Sequence, residues 1–554
     1  MASRRVLIVG GVAGGASCAA RLRRMDEFAE IFIFERGGDV SFANCGLPYY
    51  VGGAIADRRL LLVATPERFR DIFRIEVRTR HGVRAIDRSK KTIEVQNMQT
   101  GAVSQEAYDF LVLAPGAAPI RPPLPGIDLP GIYSMRTLQD IDCLQSWLNY
   151  HNPARAIVVG AGYIGLEMAE NFSRRGMEVA LIERMDQAMP PMDPEMVSPV
   201  YKELHKQGVD LHLDTEVVGF EPAADDKITV VTKRNERHMG GVVILALGVK
   251  PDVELAKKCG LEIGQTGGIR VDDQMRTSDA AIFAVGDAVE VRDFVTGKPT
   301  LIPLAGPANR QGRIAADVIC GRDAHYRGSQ GTAVVGVFDL TLAMTGATEK
   351  TLRRAGIAYQ KTYTHSFHHA GYYPGAERIA LKLLFAPDTG RLLGAQAVGK
   401  AGVDKRIDVL AMAIQKGATV FDLEEAELAY APQYGSAKDP INMAGFVAGN
   451  ILRGDVAAAS WAEWKTLAAA EQTPVTLDVR PPTAVASGAI DGSIRIPLGE
   501  LRSRLNELPR DKEIWVHCAV GQTAYYATRI LKQNGFNARN ISGGFISYKM
   551  EGKQ

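Results

Sequence analysis

Two copies of one glycine pattern, 150 residues apart, constrain the fold more than any other feature of this 554-residue chain. Residues Arg5 to Val9 read as a buried parallel strand, followed at once by Gly10-Gly11-Val12-Ala13-Gly14-Gly15. A helix through Ser17–Arg24 and a second apolar strand, Ile31–Phe34, lead to Glu35, 20 residues after Gly15. Glycines let the backbone approach a pyrophosphate, the helix N-terminus favours its charge, and the acid accepts from a ribose hydroxyl. Val12 departs from the pattern, standing where the second glycine belongs. The second copy is complete: strand Ala156–Val159, then Gly160-Ala161-Gly162-Tyr163-Ile164-Gly165, then strand Val179–Ile182 and Glu183. Two such units predict two dinucleotides, one held tightly and one exchanging. Glu183 suits the 2′-hydroxyl of NADH and repels the 2′-phosphate of NADPH, although Arg184 beside it softens the choice. NADH is the expectation, with NADPH the alternative.

The length exceeds what one core supports and predicts three or four domains. A net charge of +2 without a long Lys/Arg block gives no case for a nucleic-acid partner. No run approaches the ~18 apolar residues that span a bilayer, and the apolar start Val6–Gly11 is too short for a signal peptide. Six scattered cysteines without CxxC spacing argue against a disulfide scaffold and a structural zinc site. The expectation is a soluble cytoplasmic protein with no metal.

Within Val40-Ser41-Phe42-Ala43-Asn44-Cys45-Gly46-Leu47-Pro48-Tyr49, Cys45 has no second cysteine near enough to close a small redox disulfide. Flanked by Asn, Gly and Pro, it is poorly placed as a core residue. A lone redox cysteine cycles through a mixed disulfide or a sulfenate. Local positive charge and amide dipoles are expected to favour its thiolate.

Four further segments carry a resemblance. Tyr108–Gly116 ends in Ala114-Pro115-Gly116, and Val242–Gly248 ends in Leu245-Ala246-Leu247-Gly248. Ala281-Ile282-Phe283-Ala284-Val285-Gly286-Asp287 precedes Pro303-Leu304-Ala305, which opens a helix. In this order they resemble the flavoprotein pyridine nucleotide-disulfide oxidoreductases over about residues 1–450. The resemblance implies FAD held by Gly10, Val12, Ala13, Gly14, Gly15, Glu35, Ala114, Gly116, Asp287, Leu304 and Ala305. It implies NAD(P)H held by Gly160, Gly162, Tyr163, Ile164, Gly165, Glu183 and Gly248. Ser41-Phe42-Ala43-Asn44-Cys45 is similar to the coenzyme A disulfide reductase branch, which implies coenzyme A contacts at Ser17, Arg21, Arg24, Ser41, Asn44, Asn309 and Lys438. The basic face of the first helix, which also carries Arg23, is read as the phosphate site. Residues 330–446 resemble a dimerisation domain that lends Tyr372 (or its neighbour Tyr373) and Tyr430 to a partner's site, so a homodimer is implied. His368 and His369 have no carboxylate or cysteine at ligand spacing and are read as structural or weakly functional, not as metal ligands.

After about Asn450 a new α/β pattern starts. Strand Val475–Val479 is followed by Ile514–His517, then Cys518-Ala519-Val520-Gly521-Gln522-Thr523 and a helix through Ala524–Gln533. Down to the closing Ile541-Ser542-Gly543-Gly544-Phe545 this resembles a rhodanese domain, with Cys518 as persulfide carrier on a loop of backbone N–H groups. Thr523 stands where rhodaneses usually place arginine, so anionic donors such as thiosulfate are expected to bind poorly.

The expected fold is α/β: two Rossmann-like dinucleotide-binding domains, an α+β dimerisation domain and a C-terminal α/β rhodanese domain. The expected divisions are residues 1–119 with 250–325 (FAD), 120–249 (NAD(P)H), 326–450 (dimerisation), 451–465 (linker) and 466–554 (rhodanese). The resemblance implies NAD(P)H-driven reduction of coenzyme A persulfide, polysulfide or coenzyme A disulfide, with Cys45 and Cys518 as the reacting sulfurs. The rivals are an NADH oxidase or peroxidase cycling a Cys45 sulfenate, and a sulfurtransferase supplying persulfide.

Overall fold

The structure, a computed structural model, describes residues 4–486 and 488–552. It divides into two compact units, one of residues up to 188 with 207–331, the other of 189–206 with 332 onward.

The first unit holds two five-stranded parallel sheets. One runs in the order Ile282–Ala284, Phe110–Leu113, Arg5–Val9, Glu30–Glu35, Glu76–Thr79. Its middle strand is buried on both faces, which is why residues 6–9 read as an unbroken apolar run. The strand order reverses beside Arg5–Val9, and a crevice opens at such a switch point. Helix Ala13–Met25 covers this sheet together with helix Ala305–Ile319. The two helices approach so closely that a Cβ on Gly312 would lie 2.2 Å from the Gly14 carbonyl oxygen. The other sheet runs Asp210–His212, Glu178–Ile182, Arg155–Val159, Val242–Leu245, Ile132–Tyr133. Its fingerprint helix is Tyr163–Arg174. Each sheet repeats the strand–glycine turn–helix–strand–acid plan that the sequence pattern predicts.

In the second unit, an antiparallel sheet runs Ala333–Val337, Leu340–Gly346, Leu392–Gly399, Arg378–Phe385, Gln360–Phe367. Helices Val403–Gln415 and Pro440–Leu452 pack on it. Lys382, fully buried in this sheet, donates to Asp193 at 2.7 Å, to Glu349 at 2.5 Å and to Glu195. Lys361 and Arg353 also reach Glu349, at 2.8 and 2.6 Å, so three cations meet three carboxylates. Burial opposes the Lys382 charge, but Glu195, Asp193 and Glu349 overcome it and lift its ammonium above the usual lysine range. Burial likewise pushes Glu349 up, and Lys382 and Lys361 outweigh it, holding the carboxyl well below the usual range.

The C-terminal sheet is parallel, in the order Ala457–Ala459, Ala538–Ile541, Ile514–His517, Val475–Asp478, Ile494–Arg495. Here the linker reading is corrected. Ala457–Ala459 pairs with Arg539–Ile541 as an edge strand, and helix Trp461–Ala469 follows under a Ser460–Glu463 capping box. Alanine has little strand preference of its own, so the pairing partner and the buried Trp461 decide the conformation. Among the described residues no helix is long and apolar enough to cross a membrane.

Candidate active site

Along the first crevice, Gly10 takes φ +93°, and a Cβ there would lie 2.1 Å from the Ala114 carbonyl oxygen. Only glycine fits that contact. Gly15 is equally enclosed, its added Cβ falling 1.9 Å from the Gly10 oxygen. Val12 sits at φ −94° as the N-cap of the first helix, so its backbone does not require glycine. No side chain caps that helix, leaving its first N–H groups free for an anion. Glu35 accepts from the Gly11 N–H at 2.9 Å and the Gly37 N–H at 2.8 Å. Between Gly10, Glu35, Ala114, Gly116, Arg136 and Asn44 lies a cavity of about 540 Å³. Asn44 Oδ1 is a buried acceptor without a partner, and Arg136 donates to Asp287 at 3.1 Å. Glycine-lined walls, a free helix N-terminus and an orphaned acceptor fit an extended dinucleotide such as FAD. Helix Ala305–Ile319 starts after Leu304, again without a side-chain cap.

The second fingerprint is built alike. Gly160 has φ +106°, and its added Cβ would lie 2.3 Å from the Ala246 oxygen. Gly162 has open space before it and precedes Tyr163, Ile164 and Gly165 in the helix start. Glu183 is buried and accepts from the Ala161 and Met185 N–H groups, both at 2.8 Å. Gly248 follows the sheet at φ +91°.

Ser41 and Asn44 precede Cys45 in the same loop. Ser41 holds φ +49°, a strained value for a side-chain-bearing residue, because its N–H donates to Gly11 and its carbonyl accepts from Val63. Asn44–Gly46 is one 3₁₀ turn, and Cys45 in it is solvent-exposed. The thiol is nevertheless pushed up from its ordinary value, first by burial, then by the Glu167 and Asp287 carboxylates. Arg136 and the backbone N–H of Cys45 pull the other way and do not prevail. The expectation of a thiolate-favouring setting is therefore corrected for the protein's own groups. The charges that raise the thiol come from both dinucleotide-binding halves, Glu167 from the second fingerprint helix and Asp287 from the end of the first sheet.

Ser17 donates to Asn309, joining two of the residues expected at coenzyme A. Arg21 is less free than the basic-face reading supposes, since Asp317 binds it at 2.7 Å. Arg23 leaves that face altogether: it is buried and donates to the carbonyls of Phe73, Asp26, Glu27, Ala29 and Arg74. Arg24 alone of the three is exposed. In the second unit Tyr372 and Tyr430 are exposed, with their hydroxyls 3.0 Å apart. Tyr373 instead lies against His369. Exposed Lys438 immediately precedes Asp439, which caps helix Pro440–Leu452 and binds Arg406 at 2.7 Å. Cys518 is buried, and Gly521, at φ +92°, aims its N–H at the sulfur from 3.1 Å.

Residues 4–312 match the pyridine nucleotide-disulphide oxidoreductase family, and 332–439 match its dimerisation domain. The chain belongs to this family. Residues 461–551 match the rhodanese-like domain. A coenzyme A disulfide reductase of Staphylococcus haemolyticus is 37% identical over 446 residues, 80% of this chain and 99% of that protein. The structure of reduced Bacillus anthracis CoADR-RHD is similar at TM-score 0.97 and 46% identity, covering 99% of this chain and 98% of that one. An NAD-dependent persulfide reductase from A. fulgidus is similar at TM-score 0.91 and 39% identity, covering 98% of this chain and all of that one. As a member of the family, the protein is an oxidoreductase, and the family implies FAD and NAD(P)H.

Two residues at Cys45 escape a reading of motifs. Tyr49 donates to Glu167 at 3.2 Å, and burial pushes the Glu167 carboxyl up to about 7. The available signal was a pair of acids three residues apart, Glu167 and Glu170, within an otherwise largely apolar fingerprint helix. Replacing Glu167 by Gln is expected to lower the midpoint of Cys45 alkylation by up to about one pH unit. Peptide-resolved alkylation against pH measures it, and an unmoved midpoint refutes the coupling. A stability effect follows with a definite sign. The folded pKa of about 7 exceeds the ordinary 4.5, so the wild type loses stability relative to Glu167→Gln as pH rises through that window.

Proposed function

We propose that the protein is a homodimeric, FAD-dependent NADH oxidoreductase that reduces the sulfur–sulfur bond of coenzyme A persulfide, polysulfide or coenzyme A disulfide. The observation carrying this reading is the position of Cys45, an exposed cysteine without a neighbouring cysteine in sequence and under charges from both dinucleotide-binding halves. Bound along the first crevice, FAD supplies acceptance of hydride from the nicotinamide and delivery of an electron pair to sulfur.

The chain's own residues do the rest. Cys45 attacks the inner sulfur of the persulfide, giving a mixed disulfide with coenzyme A and releasing hydrosulfide; two electrons and two protons then return both thiols. Because burial and the Glu167 and Asp287 carboxylates disfavour the Cys45 thiolate, a base assists the attack. Glu167, which accepts from Tyr49 and whose carboxylate charge reaches that sulfur, is the proposed base. Ser17 with Asn309, exposed Arg24 and Lys438 are the proposed coenzyme contacts, and the hydroxyls of Tyr372 and Tyr430 the proposed donors to a leaving thiolate. Glu183, fixed by two backbone N–H groups, favours NADH over NADPH. Cys518 is the proposed carrier of sulfane sulfur, and the presence of its domain favours persulfide and polysulfide over plain disulfide.

The test is anaerobic NADH oxidation with coenzyme A persulfide, coenzyme A disulfide, polysulfide and hydrogen peroxide offered separately. Turnover is expected with the sulfur substrates, faster with NADH than with NADPH. Turnover with peroxide alone would overturn the reading in favour of a sulfenate cycle.

A further inference from the structure

The Cys518 loop is braced by a segment of its own domain that is held in turn by a strand outside that domain. Its carbonyls at Cys518 and Ala519 accept from the N–H groups of Phe545 and Ile546, at 2.7 and 3.0 Å. The chain enters that brace through Gly543 and Gly544, both left-handed at φ +73° and +58°. A Cβ on Gly544 would lie 2.4 Å from the Cys518 oxygen, so the turn is pressed against the loop. Its other side is gripped by strand Gln360–Phe367, the edge of the antiparallel sheet. The Tyr363 N–H donates to Ser542 Oγ at 2.9 Å, and His365 Nε2 lies 2.8 Å from Ser547 Oγ. Both serines and His365 are buried, and burial lowers the imidazole to about 3, so the ring is neutral. With Thr523 in place of a cation, stabilisation of a sulfur anion falls on backbone N–H groups such as that of Gly521. The orientation of the loop then matters more than it would with an arginine present.

We propose that segment Ser542–Ser547, a two-residue turn running into helix Gly544–Met550, is a positioning element for Cys518, through which strand Gln360–Phe367 sets the orientation of the sulfur-receiving loop. This rests on the reading of Cys518 as a sulfane carrier. In the step concerned, the Cys518 sulfur attacks the outer sulfur of a persulfide, R–S–SH. The donor's S–S bond breaks, R–S takes the proton from Cys518 and leaves as R–SH, and Cys518 becomes the persulfide. No outside oxidant or reductant is needed.

The experiment pulses the full-length protein with glutathione persulfide and follows persulfide at Cys518 by peptide-resolved mass spectrometry. His365→Leu, which strands the Ser547 hydroxyl, is expected to lower the limiting loading rate about tenfold, since small misplacements of reacting groups carry such penalties. The half-saturating donor concentration should stay within about twofold, and His365→Gln, whose amide can still donate, should restore most of the rate. Equal loading in wild type and His365→Leu overturns this inference alone, as does failure of His365→Gln to rescue. A wild-type Cys518 that takes up no sulfur overturns the carrier reading and this inference with it. If His365→Leu does not fold, Ser542→Ala, which removes one hydroxyl, carries the same comparison.

Discussion

Cys45→Ser is expected to reduce NADH-driven turnover of coenzyme A persulfide by at least about 10⁴-fold, the scale on which removal of a nucleophile acts. A serine hydroxyl forms no disulfide-like intermediate and accepts no electron pair, so neither half of the reaction has a substitute. The scattered cysteines support this severity. Cys18 is buried, with burial driving its thiol far up, and none of the remaining four lies near Cys45 in sequence. Loading of sulfur onto Cys518 should survive in the same variant, which separates the two sulfur sites. Anaerobic NADH absorbance measures the first quantity and Cys518 persulfide the second. Retained NADH oxidation with persulfide would remove Cys45 from the mechanism. Loss of turnover on Cys518→Ser with none on Cys45→Ser would favour the sulfurtransferase alternative.

Lys382→Met is expected to cost about 3–5 kcal/mol of stability, the penalty for leaving buried charge uncompensated. Asp193, Glu195 and Glu349 would then face one another around a methionine, with only peripheral help from Lys361 and Arg353. The pH dependence has a clear sign. In the wild type Lys382 helps to hold Glu349 ionised, and stability from that pairing is lost as pH falls through the carboxyl's lowered folded-state range. In Lys382→Met the carboxylates repel and their pKa values rise, so the deficit is greatest at neutral pH and shrinks on mild acidification. Thermal melts of both proteins across pH check this; a deficit independent of pH would mean the loss is one of packing and not of charge.

Much of the fold is legible because its signals are short-range. Gly10, Gly15, Gly160 and Gly165 sit within six residues of a strand end. A Cβ on Gly15 or Gly165 is excluded by the glycine five residues before it, although Gly10 and Gly160 are closed off by Ala114 and Ala246 from the neighbouring strand's end. The strand–helix rhythm around Cys518 is legible for the same reason. What sequence reading missed is held by distant partners. Arg21 meets Asp317 across 296 residues, which no local pattern announces. Arg23 looks like its neighbour Arg24 in a helical wheel, yet five carbonyls from two loops take it out of solvent. The upward Cys45 thiol shift comes first from burial and then from Glu167 and Asp287, which lie 122 and 242 residues further along the chain. Ala457–Ala459 looks like a tether because alanine has no strand bias, and it becomes a strand only by adding to Ala538–Ile541.

Strand Gln360–Phe367 has a consequence for how this protein can be shortened. It is a sheet edge of β-favouring composition, with Thr362, Tyr363, Thr364 and Phe367 in sequence, and its outward Tyr363 N–H is taken up by Ser542. The C-terminal domain thus also serves as a cover for an adhesive strand. Ending the chain after helix Pro440–Leu452 strips that cover and leaves an open template for pairing with other copies. A truncated form therefore needs a charge or a proline built into this edge before its solubility reflects the rest of the molecule.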